Sequence, residues 1–92
     1  MKMPKVELEM TCRMCPEQYD LVDELGSCWA YFRMRHGHFT VECPDVGGKL
    51  VYQACPDGDG DFMDYEREGY IKAAMDAVKK HYGWEDDDGT HT

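Results

Sequence analysis

Six carboxylates crowd the fourteen residues CPDGDGDFMDYERE, from Cys55 to Glu68, and the first chemistry such a stretch suggests is a divalent cation. Asp57, Asp59 and Asp61 fall at the first, third and fifth positions of an EF-hand-like loop, and Glu68 falls at the twelfth. That loop needs glycine at its sixth position for a sharp turn and an apolar residue at its eighth. Here those places hold Phe62 and Asp64. An EF-hand loop also follows a helix, whereas this one follows a strand pattern. The stretch therefore reads as a turn: Gly58 and Gly60 reverse the chain, and Asp61 or Asp64 caps the helix that begins there.

The second chemistry is that of thiols. Cys12 and Cys15, in CRMC, have the spacing at which two thiolates share one zinc ion, but a closed structural site needs two more ligands. Strand counting brings Cys55 and either His36 or His38 to the same end of a sheet, which makes Cys12, Cys15, Cys55 and His38 the alternative metal set. Against it stands the frequent use of cysteine for packing alone, and the expectation is no metal and no cofactor. A redox pair at Cys12 and Cys15 has no helix N-terminus after it to lower a thiol pKa. No Ser/His/Asp order, phosphate-cradling glycine loop or zinc-protease motif is present. His36 and His38 read as turn residues, so the chain is not expected to be an enzyme.

The third is recognition. Trp29, Tyr31, Arg33 and Arg35 alternate along one strand pattern, and aromatic and arginine side chains dominate binding hot spots. Such a face could also stack on bases, but the formal charge of -9, from 19 acidic and 10 basic side chains, opposes a phosphate backbone. It suits solubility, a cation or a basic protein surface. An apolar fraction of 42% and an aromatic one of 12% argue for a folded domain despite 32% charged residues. No run approaches the roughly 18 apolar residues of a membrane span. The start, MKMPKVELEM, lacks a signal-peptide core. A cytoplasmic location with reduced cysteines is expected, and the odd cysteine count of five argues against a fully paired disulfide framework.

These residues must be positioned by short strands and one helix. KVELEM alternates with Val6, Leu8 and Met10 on one face, and TCRMCPE interrupts it. A turn at Leu25 and Gly26 sets Leu21 opposite Ala30, Tyr19 opposite Phe32 and Val22 opposite Trp29. A turn at His36 and Gly37 sets Met34 opposite Phe39, Phe32 opposite Val41, Ala30 opposite Cys43, Arg33 opposite Thr40, Arg35 opposite His38 and Tyr31 opposite Glu42. Both registers place one apolar set on one face, which a one-residue slip would scatter. KLVYQA adds Leu50, Tyr52 and Ala54 to that face. From Asp64 the period becomes helical, with Tyr70, Ile71, Ala74, Met75, Val78 and Tyr82 in a stripe. Gly83 and Trp84 close the helix. The expected fold is α+β, a four- to five-stranded antiparallel meander packed on one C-terminal helix over about 64 to 82. Residues 1–84 form the domain, and 85–92 an acidic flexible tail.

The strings CPEQYDLVD, AYFRMRHGHFTVECPDVGGKLVY and GDGDFMDYEREGYIKAAMDAV, within residues 15–82, resemble a group of small uncharacterised proteins of gut bacteria and their phages and mobile elements. The resemblance implies no catalytic residue. It implies a setting in which short acidic proteins bind host machinery, including inhibitors of defence nucleases that present carboxylates where nucleic acid would sit (anti-CRISPR-like proteins). Asp57 to Glu68 and Glu85 to Asp88 would serve that role. The expected function is thus a non-catalytic protein-binding module for a basic, nucleic-acid-binding partner. It would use Asp57, Asp59, Asp61 and Asp64, or else the face of Trp29, Tyr31, Arg33 and Arg35. A small zinc-binding domain is the alternative.

Overall fold

A computed structural model describes residues 3–13 and 17–84. Five strands, β1 (Val6–Cys12), β2 (Glu17–Asp23), β3 (Cys28–Arg35), β4 (His38–Cys43) and β5 (Lys49–Ala54), precede one helix, α1 (Asp64–Tyr82). The strands form one antiparallel sheet in the order β1-β2-β3-β4-β5. The expected α+β meander with a C-terminal helix is the observed fold. Cys15 and residues 85–92, which carry half of the CRMC pair and the expected tail, lie outside the described residues.

One face of the sheet is the core. Tyr19, Leu21, Ala30, Phe32, Met34, Phe39, Val41 and Cys43 are all buried on it. The α1 stripe packs there, with Ala74 and Val78 fully buried and Tyr70, Ile71, Met75 and Tyr82 partly so. Full burial of a side chain such as Phe32 or Phe39 contributes about 1.5–3 kcal/mol, so this set accounts for much of what holds helix to sheet. The β3–β4 turn forms as the sequence implies: His36 and Gly37 both take positive φ, 53° and 74°, the condition for a two-residue turn whose twist matches its strands. The pairs Tyr19↔Phe32, Leu21↔Ala30, Phe32↔Val41 and Met34↔Phe39 follow the expected registers. That pairing ends at Tyr31↔Glu42, short of Ala30 and Cys43.

Three bulges depart from the simple alternation. Between β2 and β3 the register shifts, so Val22 pairs with Cys28 and not with Trp29. A bulge gives one strand an extra residue and re-aims its side chains. Trp29 consequently turns to the core side, where its ring meets Tyr82 and Trp84 edge-on at 5.3 Å each. Its Nε1 donates to Asp23 Oδ2 at 3.0 Å. Cys28 takes the outer side instead. Between β4 and β5 a second shift sets Leu50 against Glu42, so Leu50 leaves the core face and is 44% exposed, while Val51 packs against the core. In β1 a third shift, between Met10 and Cys12, lets the strand run through the expected interruption to Cys12.

The helix start also corrects the sequence reading. Neither Asp61 nor Asp64 caps it: Met63 is the N-cap, and Asp64 is the first helical residue. The freed N–H of Met63 is satisfied by Glu66, three residues on. At the other end Gly83 takes φ 73°, and the Trp84 N–H reaches back to the Lys79 carbonyl at 2.9 Å. Trp84 thereby folds onto Tyr82, with the rings stacked at 4.6 Å.

Candidate functional site

The acidic loop between β5 and α1 is fixed by two carboxylates that point inward. Glu66, in the first turn of α1, accepts the N–H of Asp57 at 2.8 Å through Oε1. Through Oε2 it accepts those of Gly58 at 2.9 Å and Met63 at 2.8 Å. Burial alone would raise its carboxyl, but these three N–H groups outweigh that and hold it below the ordinary glutamate range. Glu17, the first residue of β2, holds the other side of the loop. Its side chain is fully buried and accepts the Phe62 N–H at 3.1 Å, Arg67 Nε at 2.8 Å and Nη2 at 3.1 Å, and the Tyr19 hydroxyl. Its own N–H donates to the Gly60 carbonyl at 2.8 Å.

Burial pushes the Glu17 carboxyl up, but the Arg67 guanidinium, the Tyr19 hydroxyl and the Phe62 N–H together bring it below the ordinary value. Tyr19 is pushed up to about 12 by its burial and by the neighbouring Glu17 carboxylate. Arg67 also bonds Asp64 Oδ1 at 2.8 Å. The backbone is folded tightly enough that a Cβ on Gly58 would sit 1.8 Å from the Asp61 carbonyl oxygen, so only glycine fits there.

Held this way, the loop displays Asp57, Asp59 and Asp64 to solvent, with Asp61 half-buried. Asp57 accepts a hydrogen bond from the Tyr65 hydroxyl, which pushes that phenol up to about 12. The ligand atoms of Asp57, Asp59, Asp61 and Glu68 do not converge. Among the described residues, Asp20, Cys28 and Asp45 form the one group of three whose donor atoms could meet at a single ion.

Of the alternative metal set, Cys15 lies outside the described residues. Cys12 ends β1 opposite Gln18, Cys55 is exposed just past β5, and His38 Nε2 lies 3.0 Å from Gln53 Oε1. Among the described residues, none of these three, nor His36, joins a three-ligand group.

The outer face of the sheet keeps three of its four expected residues. Pairing across the strands arranges it in rows. One row runs Glu9, Asp20, Tyr31, Glu42, Leu50, and the next runs Cys12, Gln18, Arg33, Thr40, Gln53; Arg35 and His38 extend beyond it. Tyr31, Arg33 and Arg35 share this face, and Trp29 does not. The face is divided by charge. Glu9, Asp20 and Glu42 flank Tyr31, and Asp45 reaches the same end, while Arg33, Arg35 and His38 occupy the other. Burial raises the Asp20 carboxyl, and the Asp45 and Glu9 charges raise it further.

Sequence reasoning missed Glu17, Glu66, Cys28 and Asp45. Glu66 carried a signal, a glutamate at the third helical position. The bulge that turned Trp29 inward and Cys28 outward had none, because a one-residue insertion leaves the periodicity on either side intact. Comparison with protein-family models, with curated proteins and with solved structures finds no match to this chain.

Proposed function

We propose that the chain is a non-catalytic protein-binding module that offers its acidic loop to a basic partner. The observation that carries this is the division of labour among the carboxylates. Glu17 and Glu66 are consumed in fixing the backbone from residue 57 to 63, and Asp57 and Asp59 on that ordered loop, with Asp64 at the start of α1, stay exposed to water. Preorganised charge gives fast, oriented encounter without an ordering cost on binding. A basic partner that normally grips nucleic acid offers the complementary field. In the mobile-element setting implied by the sequence resemblance, the role would be inhibition of a host nucleic-acid-binding protein. The inward turn of Trp29 removes the largest anchor from the competing sheet-face surface and favours the loop.

The test is capture of the partner from the source cell, followed by association kinetics with wild type and with Asp57, Asp59 and Asp61 changed to Asn. Association should slow several-fold in the variant and with rising salt, with little change in dissociation. Equal rates for the two proteins would defeat the reading.

A further inference from the structure

We propose that the basic end of the outer sheet face binds a compact phosphate-type dianion, either free phosphate or the phosphomonoester head of a small solute, among Arg33, Arg35, His38 and Thr40. This goes beyond the acidic-loop reading and rests on different residues. Arg33 and Arg35 project from the same face of β3, opposite Thr40 and His38 of β4. With His36 they line a shallow depression to which, among the described residues, no carboxylate contributes.

In a chain with 19 acidic side chains, neither arginine makes an ion pair among the described residues, whereas Arg67 and Lys72 do. Arg33 Nε is moreover buried without a hydrogen-bond partner. A guanidinium N–H withdrawn from water is costly unless an acceptor meets it. The planar fork of an arginine matches the paired oxygens of a tetrahedral oxyanion, and such charge-assisted bonds are the strong kind. The Thr40 hydroxyl supplies a donor from the facing strand, beside His38, whose Nε2 lies 3.0 Å from Gln53 Oε1.

The surroundings limit the ligand's size. Along the strands, the next row on one side is Glu9, Asp20, Tyr31 and Glu42, only two residues or about 7 Å away. On the other side the His36–Gly37 turn abuts the acidic loop, where a Cβ on Gly37 would lie 3.7 Å from the Gly58 carbonyl oxygen. Among the described residues, a single phosphate here meets the two guanidinium groups and no carboxylate. A nucleic-acid strand would run onto carboxylates in both directions.

The test is titration of the isotope-labelled protein with sodium phosphate and, separately, with glycerol 3-phosphate, at constant ionic strength maintained with chloride. Saturable NMR shifts are expected at the amides of residues 33 to 40 and at the Nε–H signals of Arg33 and Arg35. Tighter binding of one probe identifies the free ion or the solute head as the better ligand. Arg33→Gln should weaken binding roughly tenfold, the loss of one charge-assisted bond. Arg35→Gln, at an exposed position, should do the same without disturbing the fold, and Lys72→Gln should leave binding unchanged. Shifts that chloride alone reproduces, no saturation with either probe, or equal affinity in the Arg35→Gln variant would overturn the proposal. So would an oligonucleotide that binds the same signals more tightly than phosphate.

Discussion

Glu17 is the residue on which most depends, and nothing in its neighbourhood of the sequence marks it. It looks like an ordinary polar start to a strand, yet it satisfies the Phe62 N–H and anchors Arg67 and Tyr19 at once. Its folded-state pKa is depressed, so its contribution is fully present above the unfolded glutamate value of 4.5 and is lost as pH falls through the lower folded value. Glu66, depressed by its three backbone N–H bonds, acts in the same direction. Stability should therefore be level near neutrality and fall below about pH 4.5. Glu17→Gln keeps the shape and removes the charge. It should cost about 2–3 kcal/mol at neutral pH, because the buried charge-assisted contacts of Glu17 with Arg67, Tyr19 and the Phe62 N–H lose their charge. It should also flatten the acid limb of the curve. Urea titrations of both proteins between pH 3 and pH 7 check this, and parallel curves would contradict it.

At the scale of elements, the sequence made most of the sheet legible and concealed its irregularities. The β3–β4 hairpin was readable because His36-Gly37 fixes the turn and the apolar set on both strands fixes the register, two constraints that agree. The helix was readable from its stripe and from Gly83. The bulges were not. Only packing decides where an extra residue is absorbed, and the decisive contacts of Trp29 are with Tyr82 and Trp84, far away in the chain. For the same reason the candidate site was half legible: the acidic residues were evident from composition, but the two inward carboxylates that shape them were not. The position of Trp29 sets a sharp expectation. Trp29→Ala should destabilise the fold by about 3 kcal/mol through lost aromatic packing, seen as a lower thermal midpoint, and should leave association of the captured partner unchanged. A variant of native stability with weakened binding would return Trp29 to the outer surface.

For the whole molecule the governing quantity is the charge of -9 and its uneven placement. No helix among the described residues is long and apolar enough to cross a membrane. Carboxylates gather on the β5–α1 loop and at one end of the outer face, so near neighbours repel within a Debye length of about 10 Å at 0.1 M salt. The ion pair that matters most, Arg67 with Glu17, is shielded on the carboxylate side, which is fully buried. Adding sodium chloride should therefore screen repulsion more than attraction. The thermal midpoint should rise by a few degrees between about 0.01 and 0.15 M, even as the same salt slows association with a basic partner. Calorimetry over that range would show it, and a falling midpoint would mean that ion pairs outweigh repulsion in the net balance.

The link between Glu17 and Arg67 spans fifty residues, and this orders events on the ribosome. The sheet can begin to assemble as soon as its hairpins emerge, since each strand pairs with the one made just before it. The carboxylate display cannot. It requires one clamp that has been waiting on β2 and a second that arrives only with the first turn of α1. Until residue 67 is out, Glu17 lacks the guanidinium it pairs with in the folded protein. The proposed surface thus takes shape only after every strand of the sheet has emerged. A nascent chain halted before the helix would carry the aspartates of the loop but not the Glu66 and Arg67 contacts that arrange them.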